Sequence, residues 1–157
     1  MAHHAASREG YAALVDRLNR FPQGAPPSEL LYRILEILFS PREAELVALL
    51  PIKPFTTRTA ARAWKMPLAE ARKVLDTLAS RAILIDTESR RGHHCTPPPP
   101  MAGFFEFSMM RLRGDVDQKL LAELFYRYIT VEEDFIKALF TTGETQLGRV
   151  FVHEPIL

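Results

Sequence analysis

Prolines decide where this chain can be helical. Most of its twelve prolines fall in clusters: Pro22, Pro26 and Pro27; Pro51 and Pro54; and the run Pro97-Pro98-Pro99-Pro100. Proline has no amide donor, and its ring clashes with the preceding turn, so a helix ends at or before each cluster. With scattered glycines, the clusters divide the 157 residues into stretches 1–51, 52–96 and 97–157. The total length suits one domain, or one domain with arms.

Within 1–51 the periodicity predicts helices. Tyr11, Leu14, Val15 and Leu18 share a helical face. Ser28 is placed to cap a second helix carrying Leu30, Leu31, Ile34, Leu35, Ile37, Leu38 and Phe39. Ser40-Pro41-Arg42-Glu43 is a strong helix start, with serine at the cap, proline in the first turn and glutamate three residues on. Leu46, Val47, Leu49 and Leu50 complete that short third helix.

Stretch 52–96 opens with a short extended piece, Ile52 to Phe55. Thr56 or Thr57 then caps a helix through Ala60, Ala61 and Trp64, and Lys65-Met66-Pro67 breaks it. A second helix turns Leu68, Ala71, Val74, Leu75 and Leu78 inward. Ile83-Leu84-Ile85 reads as a strand, Arg90-Arg91-Gly92 as a turn and His93 to Thr96 as the returning strand. Strand, helix, turn, helix and hairpin is the order of a winged helix-turn-helix. In 97–157 a stiff proline spacer leads to an aromatic and methionine-rich segment. Asp115 caps a helix with Val116, Leu120, Leu121, Leu124, Phe125 and Tyr128 on its face, and a last helix carries Val131, Phe135, Ile136, Leu139 and Phe140. The expected fold is therefore α+β and mainly helical: a winged helix-turn-helix core with a helical segment before it and a helical arm after it.

Hydrophobic residues at 47% and charged residues at 25% are enough for a real core, and the net charge of +1 excludes a global polycation. The charge is unevenly spread. Stretch 52–96 holds nine basic and four acidic side chains, a surplus of +5, and the remainder holds eleven and fifteen, or −4. Arg58, Arg62, Arg72, Lys73, Arg90 and Arg91 are the candidates for contact with phosphates or with an acidic partner, the last two at the expected wing tip. Base reading is poorly served. The start of the second helix, Pro67-Leu68-Ala69-Glu70, has no arginine, asparagine or glutamine, and Glu70 repels phosphate.

Cys95 is the single cysteine, which excludes an internal disulfide and any cluster or zinc finger held by several thiolates of this chain. His93 and Cys95 share one side of a strand, but two ligands do not make a metal site. No phosphate loop, HExxH or nucleophile elbow occurs. Glu132-Glu133-Asp134 falls in a first helical turn, where carboxylates suit the dipole. No catalytic, cofactor-binding or metal residues are expected, and the chain is not expected to be an enzyme. A thiol enzyme at Cys95 is the weakest of the readings. Phe104, Phe105, Phe107, Met109 and Met110 form either an ordinary core strand or an interaction surface covered by a C-terminal half of the protein, a second subunit or the proline arm.

The N-terminal residues lack the apolar core of a signal peptide, and no apolar run is long enough to span a bilayer, so a cytoplasmic protein without membrane contact is expected. The apolar, proline-containing ending His153-Glu154-Pro155-Ile156-Leu157 reads equally as a segment docked on the core or as a lead into more protein.

Three phrases carry a family likeness: PPPMAGFFEFSMM (Pro98 to Met110), VEEDFIKALF (Val131 to Phe140) and GETQLGRVFVHEPIL (Gly143 to Leu157). Together they resemble the N-terminal region of ferredoxin-type 4Fe-4S dicluster proteins, where a winged-helix-like module precedes a cysteine-rich electron-transfer half. The resemblance extends over nearly the whole chain, but the phrases are far more specific than the winged-helix core. It implies a non-catalytic interaction module that docks a redox partner or its own cluster half. The iron–sulfur clusters belong to a later segment, since no cluster-binding cysteine motif is present here. The alternative is a winged-helix transcriptional regulator that binds DNA, with 115–140 as its dimerisation arm.

Overall fold

The computed structural model describes residues 2–21, 24–89, 92–100, 103, 105–110, 112 and 114–140. Helix α1 (Ala2–Leu18) is followed by α2 (Glu29–Leu38) and α3 (Pro41–Ala48). Strand β1 (Phe55–Thr56) leads into α4 (Thr57–Trp64) and α5 (Leu68–Ser80), and then the hairpin β2 (Ile85–Ser89) and β3 (Gly92–Thr96). Helices α6 (Phe105–Met110), α7 (Gln118–Thr130) and α8 (Glu133–Phe140) follow. The described residues are thus mainly helical, with one small antiparallel sheet in the order β1-β3-β2.

Local chemistry sets the helix starts. The Ser28 side chain accepts from the Leu31 amide to begin α2. Ser40 and Glu43 close a full capping box on α3, with Pro41 in the first turn. Thr56, not Thr57, caps α4 by accepting from the Thr59 amide. On α7 the cap is Asp117, which accepts from the Leu120 amide, so the helix begins two residues later than expected from Asp115. Two turns end on non-glycine residues in the left-handed region, Lys65 at φ 52° after α4 and Ala82 at φ 59° after α5.

The predicted strand at Ile83-Leu84-Ile85 is also displaced. Ile83 and Leu84 are buried in the connection that follows Ala82, and β2 begins only at Ile85. An apolar run signals burial, but does not by itself separate a strand from a buried connection. The β2–β3 ladder runs from Ile85↔Thr96 through Asp86↔Cys95 and Glu88↔His93 to Ser89↔Gly92.

Helices α1 and α3 lie side by side, and they run in the same direction, because Gly10 meets α3 itself and Arg17 the chain just past its end. A Cβ on buried Gly10 would come within 3.0 Å of the Glu45 side chain in mid-α3 and 3.5 Å of the Pro41 oxygen at its start. Arg17 meets the chain just past the end of α3, donating from Nε to the Leu50 oxygen at 2.8 Å and from Nη2 to the Pro51 oxygen at 2.9 Å. Tyr11 donates to the Phe39 oxygen at 2.8 Å. Helix α7 packs back on α2, and Tyr128 donates to the Pro26 oxygen at 2.8 Å. Phe105 of α6 packs by its ring against Phe125, Tyr128 and Phe135.

One contiguous apolar core joins all three proline-bounded stretches, from Tyr11 through Trp64 and Leu75 to Phe135. The proline run is not a solvated spacer, because Pro97, Pro98 and Pro100 are buried. The aromatic segment from Phe105 is helical rather than a core strand.

Candidate functional site

The basic candidates separate into three groups. Arg58 and Arg62 are exposed one turn apart on α4. Arg58 lines a pocket of about 320 Å³ with Thr56, Thr57, Leu68, Gly92 and His93, where the starts of α4 and α5 meet the turn end of the hairpin. Arg72 is half-buried and its Nε bonds Asp76 at 2.7 Å. Lys73 is exposed beside Glu70, Asp76 and Thr77. The exposed face of α5 therefore carries balanced charge. Arg90 and Arg91 lie outside the described residues.

Arg81 also belongs to the basic surplus of this stretch, yet its charge is internal. It forms an ion pair with Glu43, each side chain only 19% exposed, and so ties the end of α5 to the capping box of α3. Burial acts to raise the Glu43 carboxyl, but hydrogen bonds from Ser40 and the Arg81 guanidinium together hold it below the ordinary range. The two residues are 38 apart in sequence, so no local pattern marks the pair.

Asp86, His93 and Cys95 share one face of the hairpin, with Asp86 directly opposite Cys95. The Cys95 sulfur is 3.9 Å from His93 Nδ1, and His93 Nε2 is 3.7 Å from Asp86 Oδ2. The order thiol, imidazole, carboxylate resembles a nucleophilic triad. The environment opposes that chemistry. Cys95 is wholly buried, and burial followed by the Asp86 charge pushes its thiol up to about 11, whereas a nucleophilic cysteine needs a lowered pKa and access. A four-iron cluster does not fit this chain either, since it needs several thiolates and this one stands alone and buried. Among the described residues no group of three or more histidine, cysteine or acidic side chains is placed to hold a metal ion.

The aromatic and methionine candidates divide between core and surface. Phe105 is buried in the aromatic cluster, and Met109 is partly buried against the core. Phe107 is half-buried and Met110 is 78% exposed. Both line a pocket of about 310 Å³ with Ala79, Ala82, Leu84, Ile85 and Asp86. Phe104 lies outside the described residues. The pocket joins α6 to the edge of the hairpin, a juxtaposition the sequence did not announce. The one available signal was the isoleucine at position 85 beginning an otherwise polar strand.

No family model matches the chain, and no curated protein or solved structure matches it. The ferredoxin-type likeness thus rests on its three sequence phrases, and the last of them lies outside the described residues.

Proposed function

We propose that this chain is a non-catalytic winged-helix interaction module, of the kind that precedes the cluster half of ferredoxin-type iron–sulfur proteins, and that it docks an electron-transfer partner or such a half. The reading of α4, α5 and the β2–β3 hairpin as a winged helix-turn-helix is part of this proposal. One observation carries it. Exposed positive charge lies on α4, at Arg58 and Arg62, while the outer face of α5 is balanced by Glu70 and the Arg72–Asp76 pair. Paired arginines on one helix face steer an acidic protein surface efficiently. A charge-balanced α5 without base-reading side chains at its start is poorly suited to a major groove.

The test is a titration of the purified chain against a soluble acidic 4Fe-4S ferredoxin at low and high salt. A complex that weakens with salt, and that Arg58→Glu with Arg62→Glu abolishes, supports the proposal. Absence of a complex at low salt overturns it.

A DNA-binding regulator is the second reading, favoured by the convergence of Arg58 with Gly92 and His93 at the turn end of the hairpin. Salt-dependent retardation of random and genomic DNA tests it. Binding at low salt that Arg58→Glu removes supports it, and no retardation at low salt excludes it.

A further inference from the structure

We propose that the outer edge of β2 is a docking site for an extended segment of a partner protein whose side chains alternate basic and apolar. Among the described residues, the sheet order β1-β3-β2 leaves β2 paired on one side only. Ile85, Asp86, Thr87 and Glu88 are all exposed. Among the described residues, no backbone group outside the β2–β3 ladder bonds to these four. An open edge is a row of unpaired donors and acceptors, and an added strand satisfies them.

Alternation along β2 defines the occupant. Asp86 and Glu88 share one face of the sheet, and Ile85 and Thr87 share the other. A second copy paired antiparallel about Thr87 sets Asp86 against the other Glu88, and like charges directly opposite are destabilising. The same two carboxylates favour lysine or arginine at every second position of an added strand. The intervening positions face Ile85 and Thr87 and call for apolar or β-branched residues.

The pocket supplies an anchor at one end of this edge. It is lined by Ile85 and Asp86 of β2 and by Ala79, Leu84, Phe107 and Met110, and among the described residues by none of β3. It therefore opens beside the outer edge of β2. Its volume of about 310 Å³ accommodates a leucine-sized side chain. Main-chain bonds give affinity, alternate charges give register and the pocket gives a terminal anchor. The inference is independent of the ferredoxin-type reading, which concerns Arg58 and Arg62 on α4.

The test uses the full chain and a fluorescent peptide, Lys-Val-Lys-Val-Lys-Val-Lys-Leu, in an anisotropy titration. Two further peptides carry N-methyl groups at odd or at even positions. Strand addition predicts saturable binding of the parent. One methylated peptide loses about tenfold or more, as expected for two or three lost hydrogen bonds, and the other binds as the parent does. Replacing the lysines by glutamate abolishes binding. Asp86→Lys with Glu88→Lys transfers preference to the glutamate peptide, with circular dichroism verifying the fold. An equal response of the two methylated peptides overturns the proposal, as does equal binding of lysine and glutamate peptides or no saturation at millimolar peptide. The peptide comparisons need no variant, so a misfolded double mutant leaves the result decisive. A ferredoxin complex without peptide binding removes this inference alone. Peptide binding without a ferredoxin complex removes only the reading of α4.

Discussion

The indole nitrogen of Trp64 donates to the main-chain oxygen of Leu46 at 2.8 Å, fastening α4 to α3. Trp64→Phe keeps most of the apolar contact and removes the donor. The expected loss is about 1–3 kcal/mol, combining a missing buried hydrogen bond with a small void. A lowered urea midpoint with unchanged slope checks it. An unchanged midpoint would show that this bond contributes nothing net.

Glu43 gives a pH signature. Its folded carboxyl is held below the ordinary value of 4.5 despite the opposing effect of burial. A depressed carboxylate stabilises the fold above its unfolded pKa, and that contribution is lost as pH falls through the folded one. Glu43→Gln is expected to cost about 2 kcal/mol at pH 7, the scale of hydrogen bonds to a charged group. Parent and variant should converge in acid, below the ordinary carboxylate range. Parallel stability curves down to the lowest accessible pH would contradict the assignment.

Cys95 should be nearly inert in the folded chain. Raising a thiol from 9.0 to about 11 lowers its thiolate fraction at pH 8 about a hundredfold, and complete burial slows attack further. Alkylation by iodoacetamide should be at least that much slower than in denaturant, and should accelerate with pH. A native rate matching that of the unfolded chain would be incompatible with the buried position on β3.

Lys65 holds φ at 52° as the cap residue of α4. A side chain in the left-handed region is unfavourable, and glycine relieves it while adding entropy to the unfolded chain. Lys65→Gly is expected to stabilise the fold by about 0.5–1 kcal/mol, seen as a higher denaturation midpoint. A net loss would mean that the lysine side chain makes a contribution larger than the strain.

Much of the helical framework is legible locally. Ser28, Ser40 with Glu43, and Thr56 each announce a helix because the cap bond spans three residues. The sharing of one sheet face by His93 and Cys95 follows from strand alternation alone. Asp115 reads as the cap of α7, but the bond to the Leu120 amide is made by Asp117, two residues on. Other features are decided at long range. Ile83 and Leu84 are apolar because the core covers them, not because they are paired. Phe105 becomes helical core because α7 and α8 supply its ring partners. For the candidate site, sequence shows which side chains are charged, but not which charges are consumed. Arg81 reads like Arg58 until Glu43 is found beside it.

Tyr128 reaches back across 102 residues to Pro26. During synthesis the N-terminal helices emerge long before the residue that completes them, and α2 must wait for α7 to cover its exposed face. Distant closures are slow, because chain entropy is lost before contacts compensate. A nascent chain stalled before Tyr128 therefore presents the apolar face of α2 to the cell, and a shortened gene product ending there should be a client for chaperones rather than a smaller working module.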